Sequence, residues 1–316
     1  SKLGANALLA ASIAVVRAQA LDAGLELYDL INKLWNFEKP TLPVCMFNIV
    51  NGGMHARGGL SFQEFMIVPQ YGSFAQNLER SVCFYAELKK RFEQEGLQTA
   101  IGDEGGFAPG LPAGGTEREK LILQYLKEII KQEKFTSVRI ALDVAASHFY
   151  DAQQKKYVMH EQVFDATTLV ALYDYLIKQY PIISIEDGLD QDDWDGWQLL
   201  TQRLGRQAQL VGDDLFVTNV NRIEQGIGRG VANAVLIKPN QIGTVSETIQ
   251  AIQLCKKAGY KTVISHRSGE TNDSFIADLA VGAAAGQLKA GAPVRGERVA
   301  KYNRLLEIAQ RIEGRV

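Results

Sequence analysis

The chain has 316 residues, of which 46% are hydrophobic and 22% charged, with a formal net charge of −2. That balance suits a globular protein with a sizeable core and gives no reason to expect a nucleic-acid partner. Its three cysteines, Cys45, Cys83 and Cys255, lie far apart without a C-x-x-C pair, which argues against a disulfide framework or structural zinc and for a reducing compartment.

No apolar run reaches membrane-spanning length and no signal peptide is visible, so a cytoplasmic enzyme is expected. The first residue is Ser1 rather than Met and runs straight into a helical pattern, so the chain is expected to be a fragment whose start lies upstream.

Residues 4–34 carry apolar side chains at helical spacing and predict two helices broken near Ala23–Gly24. Asn36–Pro43, with two prolines, reads as a linker. Short apolar runs follow at Cys45–Val50, Thr99–Ile101, Val138–Leu142, Ile182–Ile185, Gln209–Val211, Ala234–Ile237, Lys261–Ile264 and Gln287–Leu288. Helical stretches lie between them near Phe74–Gln94, Glu117–Lys131, Ala166–Lys178, Trp194–Arg203, Arg222–Gly226, Thr244–Ala258 and Ser274–Ala285, and a final helix spans about Arg298–Glu313. His148–Met159 reads as an inserted hairpin turning near Gln153–Lys156. Eight strands alternating with helices predict a parallel sheet covered by helices, α/β in class. A closed (β/α) barrel and an open doubly wound sheet both fit. The strand count favours the barrel, and no G-x-G-x-x-G follows the first strand.

The strand ends carry the chemistry. Asp143, Glu186, Asp213, Lys238, His266 and Lys289 follow six of the apolar runs, which in a barrel places them on one rim, where barrel enzymes hold their active sites. Singly, each has an ordinary explanation: an acid after a strand often caps the next helix, as Asp187 and Asp214 are expected to do, and a lysine there is usually a surface residue. A succession of acid, acid, acid, Lys, His and Lys is not expected of independent caps.

Asp143, Glu186 and Asp213 are hard oxygen donors without a cysteine, a set suited to magnesium or manganese. A lysine beside such a cation can serve as a base, and Lys238 is the first choice. Glycine-rich turns place His55, Gln63, Glu64 and Glu104 near the same mouth, and Ser265–Gly269 offers Arg267 and Ser268 as a phosphate cradle.

These residues resemble the enolase family, of bacterial type. The matching segments are Ser1–Ala7, Asn51–His55, Gln63–Met66, Gly102–Gly106, Ser184–Asp187, Asp213–Asp214, Lys238–Gly243 and Ser265–Thr271, in family order over essentially the whole chain. The resemblance implies a TIM-type barrel over 36–316, with 1–35 the helical remainder of an amino-terminal α+β capping domain, most of which is lacking. It implies interconversion of 2-phospho-D-glycerate with phosphoenolpyruvate and water. Asp143, Glu186 and Asp213 would hold the first of two magnesium ions, Lys238 would be the base, and Glu104 the acid with Glu64 and His55 beside it. Gln63, His266, Arg267, Ser268 and Lys289 would contact the phosphorylated substrate.

Family members carry an earlier segment whose mobile loop supplies a serine to the second magnesium. The chain alone is therefore expected to leave that site incomplete and to turn over little. A homodimer or higher homo-oligomer, a cytoplasmic location with surface display as a family variation, and no direct nucleic-acid partner are also implied. A non-catalytic scaffold and a racemase or sugar-acid dehydratase of the same superfamily are the competing readings. The intact acid, lysine and histidine set argues against the first, and the Ser265–Thr271 run against the second.

Overall fold

A computed structural model describes residues 3–55, 59–111, 114–312 and 314, apart from the side chain of His55. Eleven strands are present among them: β1 Val44–Asn51, β2 Glu64–Pro69, β3 Val138–Asp143, β4 Tyr150–Asp151, β5 Lys156–Met159, β6 Gln162–Phe164, β7 Ile182–Glu186, β8 Gln209–Gly212, β9 Ala234–Ile237, β10 Lys261–Ser265 and β11 Gly286–Lys289. Eight of them close into a barrel in the order β1-β11-β10-β9-β8-β7-β3-β2. The expected barrel is therefore present, and the open sheet is excluded.

One strand of the barrel is not the expected one. Thr99–Ile101 contributes just an isolated bridge between Ile101 and Phe107, while the second barrel strand is Glu64–Pro69. The sheet is also not wholly parallel: β2 runs antiparallel to both β1 and β3. Connection lengths explain this. Only twelve residues separate β1 from β2, and those among them that the structure describes hold one 3-10 turn, Gly53–His55, and no crossover helix of the kind a parallel pair requires. After β2, two successive helices, Phe74–Gln94 and Glu117–Ile130, carry the chain along the barrel and back, so β3 starts again at the far end. From β3 onward neighbouring barrel strands pair in parallel.

The expected insertion is larger than a hairpin: β4, β5 and β6 form a three-stranded antiparallel sheet over the rim.

The barrel interior follows the two-residue period of a strand. Met46, Met66, Val68, Ala141, Val211, Ala234, Leu236 and Val263 form one apolar cluster inside the barrel. Two positions further toward the rim, the same inward faces present Asn48, Glu64, Asp143, Asp213, Lys238 and Ser265. At the opposite end, Gln209 and Gln287 exchange amide hydrogen bonds of 2.8 and 2.9 Å, and Gln209 donates to Ser184 Oγ at 3.2 Å. The interior is thus an amide floor, an apolar middle and an ionic top. A larger apolar cluster lies between the barrel wall and its surrounding helices.

The two amino-terminal helices, Ala5–Asp22 and Leu27–Leu34, form as expected and lie against the outside of the barrel. Arg17 makes a two-pronged contact with Asp273, at 2.7 and 2.9 Å, in the segment after β10. Leu27–Leu34 packs on the helix Phe275–Gly282, where a Cβ at Gly282 would lie 2.5 Å from the Tyr28 carbonyl oxygen and 2.9 Å from Ile31 Cβ. No single helix among the described residues is long and apolar enough to cross a membrane.

Gly282→Val is expected to push these two helices apart and destabilise the fold by about 1–3 kcal/mol, the usual cost of overpacking. Urea unfolding checks it, and an unchanged midpoint would show that the helix pair is not close-packed.

Candidate active site at the barrel mouth

The ionic top layer is set by strand register. Glu64 pairs across with Asp143, and Asp143 with Glu186, so three carboxylates lie side by side on β2, β3 and β7. Glu64 reaches this rim because β2 is antiparallel: its first residue sits where the other strands end. Asp213 follows the end of β8 by one residue, and Lys238 does so after β9.

Between the acids lies Lys289, the last residue of β11 and only 3% exposed. Its Nζ stands 2.8 Å from Glu186 Oε1, 2.9 Å from Asp143 Oδ2 and 3.3 Å from Glu64 Oε1. Lys238 Nζ donates to Asp213 Oδ2. Burial opposes charge in every one of these groups, and the outcome depends on neighbours. Glu186 is pushed well above the usual carboxylate range by burial and by Asp143. Glu64 is pushed up by burial and by Glu104. Asp143 is held low despite its burial, because Lys289 both faces it and donates to it. Burial would lower the pKa of Lys289, but Asp143, Glu186 and Glu64 raise it well above the ordinary lysine value. Lys238 is raised in the same way, Asp213 outweighing burial.

A second group of acids backs the first. Asp187, with a left-handed backbone at φ 43°, accepts the N–H groups of Asp213 at 2.8 Å and Asp214 at 2.7 Å. It therefore fixes the turn after β8, whereas the helices following β7 and β8 are capped by Asp193 and Asn219. The expectation that Asp187 and Asp214 act as caps of those helices is thus corrected. Asp187, Asp213 and Asp214 also bring one carboxylate oxygen each within 4.8 Å of one another, a spacing that could hold a cation. Both Asp187 oxygens already accept backbone N–H groups, which leaves them fewer lone pairs for such a cation.

Glu104 does not follow a strand, as expected of it. It lies on the loop between the helices Phe74–Gln94 and Glu117–Ile130, which those helices return to the rim. Gly106 lets this loop approach β1, since a Cβ there would fall 2.5 Å from Asn51 Oδ1. The carboxylate of Glu104 accepts Asn48 Nδ2 at 3.1 Å and Ser268 Oγ at 3.2 Å, with His266 Nε2 3.2 Å away. Glu64 lies near the same carboxyl group, and after burial that like charge is what pushes the Glu64 carboxyl up. Gln63 donates to Asp143 Oδ2 at 3.3 Å.

The structure thus brings together Gln63, Glu64, Glu104, Asp143, Glu186, Asp213, Lys238, His266, Ser268 and Lys289. Arg267 stands apart: its guanidinium is exposed and donates to Asn240 Oδ1 at 2.8 Å. The side chain of His55 lies outside what the structure describes. Asn48 went unread in the sequence, and Asp187 was read there only as a helix cap. Asn48 had a signal, a polar residue between Phe47 and Ile49 in an apolar run.

Fold and site together are those of the barrel-enzyme class, with buried carboxylates and two lysines, groups suited to acid–base chemistry, meeting at the carboxyl ends of the strands. The description "Enolase, C-terminal TIM barrel domain" matches residues 39–316. The enolase of Elusimicrobium minutum (strain Pei191) is 50% identical over 314 residues, covering 98% of this chain and 73% of that protein. The chain belongs to the enolase family, whose members are phosphopyruvate hydratases, carbon–oxygen lyases of glycolysis.

Lys289→Met is expected to leave three buried acids without their cation and to cost about 3–5 kcal/mol. The sign with pH follows. Asp143 is depressed in the wild type, so its contribution is present above the unfolded carboxylate pKa and lost as pH falls through the folded value. Without Lys289 the acids shift upward, and stability is lost as pH rises. The gap between variant and wild type should therefore be small near pH 4 and large near pH 7 by urea unfolding. A pH-independent gap would remove Lys289 from this role.

Proposed function

We propose that this chain interconverts 2-phospho-D-glycerate and phosphoenolpyruvate plus water, with a magnesium ion held by Asp143, Glu186 and Asp213. The observation that carries the reading is the arrangement at the barrel top. Lys238 and Lys289 meet the strand-end carboxylates there, with Glu64 and Glu104 beside them.

The residues fit a divalent cation. The three acids offer oxygen donors alone, as magnesium prefers, and burial and the Asp143 charge keep Glu186 well above the ordinary carboxylate range even with Lys289 beside it, so added positive charge would favour its ionised form. A bound magnesium would supply positive charge beside the substrate carboxylate as negative charge develops there.

The chain's own groups supply the rest. Lys238 takes the proton from the carbon next to the carboxylate; a cation held by Asp213 would weaken that acid's hold on the ammonium form of Lys238. The Glu64–Glu104 pair delivers a proton to the hydroxyl on the adjacent carbon, which leaves as water while the carbon–carbon double bond forms. Lys289 faces the carboxylate of the substrate and stabilises the dianion that proton removal creates. Ser268 and Arg267, in the turn after β10, offer donors to the phosphate, with His266 and Gln63 completing the walls, and His55 is assigned beside them on the resemblance alone.

Lys238→Ala is expected to lower kcat by a factor on the order of 10²–10⁴, the usual contribution of a positioned base, with the fold retained. Turnover is followed by the ultraviolet absorbance of phosphoenolpyruvate, and wild-type rates in that variant would exclude Lys238 as the base. Excess chelator is expected to abolish turnover and added magnesium to restore it. Undiminished rates in chelator would overturn the metal assignment.

A further inference from the structure

The helix Gly296–Ile312 carries two buried cations on its inner face, Arg298 and Lys301, one turn apart and alongside Tyr302 and Leu305. Neither follows a barrel strand, and neither belongs to the acid–base set above. Arg298 is 1% exposed. A buried guanidinium ordinarily sits against a carboxylate. Here its one ion-pair contact among the described residues is Glu297 Oε1, 3.5 Å from Nε.

Its other partners are neutral and belong to the active-site loops. One terminal nitrogen reaches His266 Nδ1 at 2.6 Å and donates to the Arg267 carbonyl at 2.7 Å. The second donates to the carbonyls of Ser268 at 2.7 Å and Asp103 at 3.0 Å. One planar group thus ties the Glu104 loop to the turn after β10. Lys301 assists by donating to the carbonyls of Thr271 and Glu297.

The His266 contact has a chemical consequence. A guanidinium has donors and no acceptor, so Nδ1 must present its lone pair. A neutral imidazole then carries its proton on Nε2, and Nε2 is the atom 3.2 Å from Glu104 Oε2. We propose that Arg298 is a positioning residue that fixes His266 as the neutral Nε2–H tautomer, so that the ring turns an N–H rather than a lone pair toward Glu104, 3.2 Å away, and keeps that carboxyl in register for proton delivery. Burial pushes the His266 pKa below its ordinary value, and the Arg298 charge works in the same direction, so a neutral ring is consistent with its surroundings. The role rests on the assignment of Glu104 as the acid under the proposed function; the tautomer itself does not.

The test therefore has two arms. In the first, long-range proton–nitrogen correlation spectra of the whole chain, which has four histidines, identify the His266 ring by comparison with His266→Gln. The wild type is expected to show a neutral Nε2–H ring near neutral pH, and Arg298→Met to lose that pattern. Arg298→Lys keeps a donor for Nδ1 and is expected to retain it. In the second arm, Arg298→Met is expected to lower kcat about 10–100-fold, with a smaller change in KM, as outer partners of catalytic groups commonly do. A His266 ring in the wild type that is protonated on Nδ1 overturns the proposal. So does an Arg298→Met protein that keeps both the wild-type tautomer and the wild-type kcat. The wild-type spectrum decides the tautomer even where the variant fails to fold or the chain turns over no 2-phosphoglycerate, which keeps failure here separate from failure of the proposed function.

Discussion

The contact on which the barrel top depends is that of the Lys289 ammonium with three carboxylates, Glu64, Asp143 and Glu186. Their strands are pinned by hydrogen-bonded register, so the acids cannot move apart to relieve repulsion. Removing such charges from water costs several kcal/mol per ion, and a central cation with good geometry is the available compensation. One lysine cannot neutralise three acids. Glu64 and Glu186 accordingly shift upward while Asp143 stays ionised, and the layer keeps a residual appetite for positive charge.

That cluster follows from topology as much as from residue type. Were β2 parallel, its carboxyl end, Pro69, would face the mouth and Glu64 would lie at the floor. Reversing one strand exchanges the two ends. It also requires two helices rather than one before β3, and the loop joining those helices is what carries Glu104 to the rim. Two of the proposed catalytic acids thus derive from a single departure from a uniform β/α repeat.

The parts of the site legible in the sequence are those governed by periodicity. Asp143, Asp213 and Lys238 each follow an apolar run whose inward faces continue into them, and the structure finds all three at the mouth. The antiparallel strand was not legible in the same way. Phe65–Val68 is apolar throughout, yet it follows polar residues and ends in Pro69, so it reads as loop, while Thr99–Ile101 imitates a strand in the place an unbroken repeat would put one. Asp187 and Arg298 were hidden for a different reason. Each acts by hydrogen bonds to backbone groups far away in sequence, and no local pattern records those partners. Even so, the spacing of Arg298, Lys301, Tyr302 and Leu305 traces the inner face of a helix, and a cation on such a face needs a buried acceptor.

The site therefore joins two kinds of support. Residues on strands, such as Asp143, Glu186 and Lys289, are held by the ladder that closes the barrel and need no further brace. Glu104, His266 and Ser268 stand on loops, where backbone hydrogen bonds to neighbouring strands are sparse and positions drift more readily. Proton delivery tolerates little drift, because the donor must stay within hydrogen-bond reach of the leaving oxygen. A rigid, five-donor fork seated on a packed helix and directed at three loop carbonyls and one ring nitrogen meets that need in a way a carboxylate-paired arginine could not, since its donors would already be engaged. With Glu297 reaching only its Nε, at 3.5 Å, Arg298 keeps both terminal nitrogens available to the loops that carry Glu104 and His266.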